Sequence, residues 1–512
     1  MDVLSALLLV TLVPCSITED VQSAAPTQTP TLSPSPTPPA CPKGCRCMER
    51  DGFATVFCMN SGLTDIPTPL SPSTRQLYMQ GHTLGTVRNR AFSSVPELRT
   101  LVLEDCGIHT LQPGAFAGLA NLTNLNLKRN DIQELRQGMF AGIGSIHEIN
   151  LDGNDLRSID EFTFDGLSNE LILRLENNVN LKDVSAKAFK GAAIKELYFY
   201  NASLSDESLE CITPLKSVLS VFFLSTNRVP LNIPYHLFKG FFFLNLNLAD
   251  NGLTDVAFLR NVRADDISLE YNNIGTLNMA EFPNLKQTRI LHLSHTSSRS
   301  LDGSFFEGLT SLTQIHLSHN LITTLPENLQ SVFTGLERVS LEGNPIHCNC
   351  EIEWFHRWFP LYSHVVTPPT CESPQQHTAI ADLTEEDLQC TAPSSLTIKE
   401  KVDDKHFTLL CSARGDPAPT ISWRIPDGSL YQSTDPNPAE RDAQETESAV
   451  QVRAEGGTYT CLAHNIKGNL SREITVPAYH ERSANTATTT SIRIFHTYLF
   501  LVITSSISCL LF

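Results

Sequence analysis

The sequence predicts a solenoid of short parallel strands followed by a separate, non-repeating module. Three observations carry this. An apolar index position recurs every 24 residues through Leu77, Leu101, Leu125, Ile149, Leu173 and Leu197. Clusters of four cysteines flank the periodic stretch: Cys41, Cys45, Cys47 and Cys58 before it, and Cys348, Cys350, Cys371 and Cys390 after it. Beyond Cys390 the period stops.

Each index residue holds the second leucine place of L-x-x-L-x-L-x-x-N-x-L. The clearest copy is Leu122, Leu125, Leu127, Asn130 and Ile132. With one step of 25 residues and one of 21, the series runs on through Phe222, Leu246, Ile267, Leu291, Ile315 and Val339, making twelve units. A period of about 20–29 residues with this pattern is the signature of leucine-rich repeats. Each unit adds one short strand and buries its leucines only against its neighbours. Function then belongs to an extended surface rather than to a pocket.

Side chains of a strand alternate between faces. Leu125 and Leu127 therefore face the core, while Asn124, Asn126 and Lys128 face out. The asparagine at the ninth position, as at Asn130, Asn154 and Asn178, is suited to bonding backbone groups where the chain turns. Cys106 and Ala202 replace it in the second and sixth units. A phenylalanine recurs 15 or 16 residues after most index positions, at Phe92, Phe116, Phe140, Phe164, Phe189, Phe238 and Phe306. We read these as a packing column under an irregular, short-helix convex side.

A solenoid has raw apolar ends, so its terminal units must differ. Spacing alone leaves three connectivities for each set of four cysteines. Zinc is the rival reading, because C-x-C with His347 nearby supplies plausible ligands. An oxidising compartment favours disulfides. The stretches CPKGCRC and NPIHCNCEIEWFHRWF resemble the cysteine-flanked caps of extracellular leucine-rich-repeat proteins. That resemblance implies Cys41–Cys47 with Cys45–Cys58, and Cys348–Cys371 with Cys350–Cys390.

The compartment follows from the termini. Residues 4–13 form an apolar core of signal-peptide length, with cleavage expected near residue 18, although no Lys or Arg precedes them. Residues 19–40 read as a disordered stalk; within 26–39 there are six Pro and six Ser or Thr, a composition suited to O-glycosylation. At the other end a polar spacer, 479–493, leads to an apolar tail, 494–512. Small residues, a spacer and an apolar tail match a GPI-attachment signal, with Ser483, Ala484 and Asn485 as the attachment region. A tailless membrane span and secretion are the alternatives.

Between Cys390 and the spacer stand Cys411, Trp423 and Cys461, with Tyr459 two residues before the last cysteine. This set and the run GDPAPTISW resemble an I-set immunoglobulin domain. The resemblance implies a Cys411–Cys461 bond between two sheets, a tryptophan packed on it and a tyrosine corner. The expected organisation is therefore a first cap at 41–70, repeats at 71–346, a second cap at 347–391 and the sandwich at 392–478. The fold class is a leucine-rich-repeat solenoid with parallel strands on its concave face and disulfide caps, followed by an all-β immunoglobulin sandwich. Only residues 392–395 link cap to sandwich, so a restricted angle is expected.

The formal charge of −18 argues against a large basic patch and against nucleic acid as partner. No G-x-S-x-G, H-E-x-x-H or phosphate loop occurs, and no catalytic set, cofactor or resident metal is expected. Glu351, Glu353 and His356 could mimic an acid–base group, but nothing supplies a nucleophile. Sequons stand at Asn121, Asn201 and Asn469. Cys106 and Cys211 are left over, roughly 20 Å apart along the stack and too far to bridge. Cys106 reads as a buried thiol, and Cys211 as a loop residue open to an intermolecular bond.

Two outward groups stand out. Ile172, Tyr198, Tyr200, Val221 and Phe223 give the fifth to seventh strands an apolar concave face, where neighbouring units present polar residues; exposed aromatics mark binding sites. His292 with His316, and His295 with His319, occupy two columns on adjacent strands, about 5 Å apart. They read as solvated rings, or else as a metal-binding or pH-responsive cluster.

The whole chain is similar to cell-surface proteins that carry leucine-rich repeats followed by one immunoglobulin domain, which serve in adhesion, synapse organisation and co-receptor signalling. The GPI-type tail departs from that pattern and resembles the anchoring of Nogo-receptor-like proteins. The resemblance implies a non-enzymatic, membrane-anchored recognition protein at the cell surface. Its partner is an extracellular protein or membrane co-receptor, bound on the concave face, with homo-oligomers possible. Innate immune recognition of microbial glycans or lipids, and a structural role in the matrix, are the alternatives.

Overall fold

A computed structural model describes residues 41–478, apart from 168, 276–280, 302, 374–376, 404–405, 433–444 and 453–454. The expected signal peptide, stalk, spacer and tail, with Ser483, Ala484 and Asn485, lie outside the described residues. Among those residues the largest sheet has 15 strands. It opens with an antiparallel pair, Arg46–Arg50 on Phe53–Met59, and is parallel from there onward. The strands are short because each unit spends most of its 24 residues on the return path. That path holds turns, 3-10 segments such as Asp206–Leu215 and the α-helix Leu329–Thr334.

The index residues stack in register: Leu77 faces Leu101, Leu101 faces Leu125, and Leu125 faces Ile149. The uneven steps do not break this. Leu197 faces Phe222 across the 25-residue step and Leu246 faces Ile267 across the 21-residue one. Those changes in length fall in the turns, so every index side chain still reaches one continuous core. Each buried leucine contributes about 1.5–3 kcal/mol by leaving water.

The ninth-position asparagines form a second, polar ladder. Asn130 donates Nδ2 to the Leu103 and Leu127 carbonyls, at 2.8 Å each, and accepts at Oδ1 from the Cys106 and Ile108 amides, at 3.0 Å each. One buried side chain thus satisfies backbone groups of two units where the chain leaves the sheet. Cys106 keeps part of this role by donating Sγ to the Met79 carbonyl at 3.3 Å. Thr296 does the same through Oγ1 to the Leu293 carbonyl at 2.9 Å.

Under the convex side Phe92, Phe116, Phe140 and Phe164 stack with centroids 5.2–6.3 Å apart. The expectation for Phe306 needs correction. Its neighbour Phe305 is the buried ring, and Phe306 packs edge-on against it and against Phe333, partly in solvent. Cys211 also departs from expectation. The 25-residue unit winds into the 3-10 segment Asp206–Leu215, whose apolar side includes Leu209, Cys211 and Ile212, so this thiol is 1% exposed rather than on an open loop.

Disulfides close both ends, joining Cys41 to Cys47, Cys45 to Cys58, Cys348 to Cys371 and Cys350 to Cys390. The second module has its own core between two antiparallel sheets. One sheet holds Thr391–Asp403, His406–Asp416 and Glu445–Gln451; the other holds Leu430–Gln432, Thr420–Arg424, Gly457–Asn465 and Gly468–Val476. Cys411 is bonded to Cys461 between them, with Trp423 and Tyr459 fully buried alongside. Both cores and these bonds lie within residues 41–478, so this span carries what independent folding requires.

The modules meet through a polar latch. His347 Nε2 donates to Asp416 Oδ1 at 2.8 Å, and Asn349 Nδ2 donates to the same oxygen at 2.7 Å. Within the sandwich, Asn465 Nδ2 donates to the Thr391 and Pro417 carbonyls and braces the segment that carries Asp416. Burial works against the Asp416 charge, but the bonds from His347 and Asn349 win and hold its carboxyl below the usual range. A connection this short, with its polar groups paired across the joint, has little freedom to hinge.

Candidate functional site

The strands Leu171–Arg174, Ile194–Tyr200 and Val221–Ser225 lie side by side. Alternation turns Leu173, Leu197 and Phe222 inward, so their neighbours must face out. Register then places Arg174 beside Tyr198 and Tyr198 beside Phe223. The Tyr198 and Phe223 rings stack with centroids 5.1 Å apart. The Arg174 guanidinium lies over the other side of Tyr198, 4.6 Å from its centroid. Ile172 and Val221 flank Glu196 on both sides in the adjoining column. Tyr200 sits one column further, beside Ser225, and is the most exposed of the five at 43%.

A carboxylate rim orders this patch. Arg174 Nε donates to Glu148 Oε1 at 3.2 Å, and its Nη1 lies 3.8 Å from Glu176. Tyr198 donates its hydroxyl proton to Glu196 Oε2 at 2.8 Å. Burial and that carboxylate push the phenol up to about 12, so it stays a donor at every physiological pH. Burial, with Asp152 nearby, also pushes the Glu176 carboxyl up. The result is a short run of Glu148, Arg174, Tyr198 and Phe223, in which an aromatic surface is pre-oriented by a cation held between acids. Such a surface presents large apolar area at small entropic cost, which is what protein interfaces use as anchors.

The surface extends beyond the five expected positions. Val218, Phe242 and Leu244 are exposed on the adjoining flank, and the Leu244 amide donates to the Ser220 carbonyl at 2.7 Å, directly before Val221. A signal for them existed. In the run Phe241-Phe242-Phe243-Leu244, alternate residues cannot all reach the core, and only Phe241 and Phe243 do.

The histidines form two stacked pairs, His292 on His316 at 4.5 Å and His295 on His319 at 4.6 Å, with interplanar angles of 5° and 14°. Tyr271, which is 57% exposed, extends the second stack, 4.3 Å from His295. Its spacing of 24 from His295 is legible once the column is noticed. Nearly parallel imidazoles keep their in-plane lone pairs in separate planes, so a stacked pair does not converge on one metal ion.

The remaining sequence candidates are scattered. Glu353 pairs with Arg357 and His356 faces the Ile380 carbonyl at 3.0 Å, while burial pushes the Glu351 carboxyl up. Their contacts are those of a packed cap. Asn201 stands at the end of the Tyr198 strand, donating Nδ2 to Asn177 and accepting at Oδ1 from Arg228 Nε. Asn121 is exposed with its amide on the Pro96 carbonyl, and Asn469 contacts His464 in the last hairpin. Cys106 and Cys211 are both unbonded and buried.

Comparison with known proteins agrees with this architecture. A leucine rich repeat family model matches residues 96–156 and 287–346, and an immunoglobulin domain model matches residues 389–465. Leucine-rich repeat and fibronectin type III domain-containing protein 1 of Danio rerio is 27% identical over 221 residues, covering 40% of this chain and 37% of that protein. The Homo sapiens protein of the same name is 28% identical over 236 residues, covering 43% and 29%. The matched stretch thus spans well under half of these relatives. A chain in the crystal structure of a TLR13-ssRNA13 complex is 21% identical with a TM-score of 0.50, covering 62% of this chain and 50% of that one, a likeness of fold alone. The chain joins capped leucine-rich repeats to an immunoglobulin domain.

Proposed function

We propose that this chain of leucine-rich repeats and one immunoglobulin domain is a non-enzymatic recognition protein of the cell surface. It binds an extracellular protein or membrane co-receptor through its concave face, in adhesion or co-receptor signalling. The observation that carries the reading is the Tyr198–Phe223 stack, backed by Arg174 and rimmed by Glu148, Glu176 and Glu196. An aromatic centre with a charged rim is the anatomy of a protein-binding hot spot. The relatives, named for leucine-rich repeats and fibronectin type III domains, share the repeat architecture on which this reading rests.

Disulfides at both caps and in the sandwich support an oxidising, extracellular location. Among the described residues no helix is long and apolar enough to cross a membrane. The small residues, polar spacer and apolar run beyond residue 478 support lipid attachment near Ser483, Ala484 and Asn485. Phosphatidylinositol-specific phospholipase C then sheds the protein from intact cells; retention after digestion counts against the anchor.

The class of partner is tested by a cell-binding screen with residues 41–478. Mild trypsin treatment of the target cells abolishes binding to a protein partner, whereas enzymatic removal of their glycans leaves it. Trypsin-resistant, glycan-dependent binding overturns the proposal in favour of glycan recognition.

A further inference from the structure

We infer that the histidine columns, together with Asp266, Glu270 and Glu342, form a second contact surface on the concave face, which holds a cationic segment of the partner at neutral pH and releases it on acidification. The inference rests on the reading of the concave face as the recognition surface, but it draws on different residues from the aromatic patch.

The groups come from four neighbouring strands and their exits. Ser268, His292, His316 and Ser340 share one column, with Ser268 beside His292, His292 beside His316, and His316 beside Ser340. Tyr271, His295 and His319 share the next. Asp266 approaches His292 Nε2 at 3.4 Å and Glu270 approaches Nδ1 at 3.9 Å. On the far side His316 Nδ1 meets the Ser340 hydroxyl at 3.0 Å. Arg338 and Glu342 face His316, and Glu342 also faces His319. Glu342 accepts bonds from the Ser318 and Thr367 hydroxyls; these outweigh its burial and hold its carboxyl below the usual range.

With neutral imidazoles, Asp266, Glu270 and Glu342 outnumber Arg338 around the stacks. The surface is then anionic, with a flat apolar floor of stacked rings. Lys and Arg suit both features, because their charge meets the carboxylates and their stems or guanidinium planes lie along the rings. Acidification changes the balance. His292 stands between Asp266 and Glu270, so a proton on its ring lies against both carboxylates.

The stacked partner resists the next one. Burial, then the His292 charge, pushes the His316 imidazolium down; burial and His319 do the same to His295. A charge on one ring of a stack thus disfavours a charge on the other, and each proton that enters offsets a carboxylate that held the partner. Further acid places like charges face to face, about 4.5 Å apart in the first stack. In the aromatic patch the Tyr198 phenol is pushed up to about 12, so it keeps its proton across this range. The histidine stacks thus place a pH response on the half of the concave face away from the Tyr198–Phe223 rings.

The test uses residues 41–478 and a fluorescently labelled hexalysine peptide as probe, at low salt. Wild type binds the peptide at least about fivefold more weakly at pH 5.5 than at pH 7.5, the effect of about one added positive charge at short range. H292Q/H316Q/H295Q/H319Q cuts that ratio to below twofold, while Tyr198→Ala/Phe223→Ala leaves it unchanged. An undiminished ratio in the histidine variant, or none in wild type, overturns the inference. A second readout needs no ligand. Histidine NMR gives each ring its own midpoint, and His292→Gln raises that of His316 by about half a pH unit by removing the stacked charge. An unmoved His316 also overturns it. Failure of the aromatic variant to weaken partner binding counts against the proposed function alone.

Discussion

His347 donates through Nε2 to Asp416 Oδ1 across 2.8 Å, tying the second cap of the solenoid to the immunoglobulin domain. Asn349 completes the contact on the same oxygen. Breaking a buried, charge-assisted bond of this kind costs about 1.5–3 kcal/mol. Asp416→Ala therefore frees the sandwich to move. Small-angle scattering of residues 41–478 should show a broader distance distribution, and calorimetry a separate, earlier transition for the second module. An unchanged distribution removes the latch as the determinant of the angle.

The same bond sets a pH dependence. The folded Asp416 carboxyl lies below its usual range. Its contribution is therefore fully present above the unfolded value of about 4 and is lost as pH falls through the lower folded value. Asp416→Asn should flatten the acid limb of the melting profile below about pH 4. A limb as steep as that of wild type contradicts this.

The asparagine ladder predicts a cost out of proportion to one side chain. Asn130→Ala leaves the amides of Cys106 and Ile108 and the carbonyls of Leu103 and Leu127 without their partner. We expect a loss of about 2–4 kcal/mol in denaturant unfolding, against about 1 kcal/mol for Asn126→Ala, whose side chain is half-buried on the outer face. Equal costs deny the ladder its structural role.

The two unbonded cysteines should be chemically silent. Burial pushes the Cys106 thiol up to about 11 and raises Cys211 further. At pH 8 the folded protein should take up no iodoacetamide at either position, and both should react after denaturation. Modification of Cys211 in the folded state contradicts its burial and reopens an intermolecular bond.

Much of this molecule is legible in its sequence because the repeat makes one unit a template for the next. Once Leu125 faces inward, alternation turns Asn124 and Asn126 outward; a step of 24 residues brings Arg174 beside Tyr198, and one of 25 brings Tyr198 beside Phe223. What lies off the template is harder to read. His347 and Asp416 are 69 residues apart and belong to different modules, so no periodicity relates them. Phe242 and Leu244 sit in an apolar run that reads as core until the alternation is applied within it. Cys211 falls in the unit with the extra residue, where the return path winds into a 3-10 turn that the strand pattern does not specify. The histidine columns are visible as spacing, but their stacking, and with it the separation of their lone pairs, depends on the ring planes.

The Tyr198–Phe223 surface is the proposed docking site of the partner. Surface-immobilised partner, once captured, should be titrated with residues 41–478 carrying Tyr200→Ala and Phe223→Ala, alongside wild type and the flank variant Leu244→Ala. We predict at least tenfold weaker binding for the double variant, about 1.4 kcal/mol, with an unchanged melting temperature and a smaller loss for Leu244→Ala. Wild-type affinity in a correctly folded double variant would rule out docking at this surface.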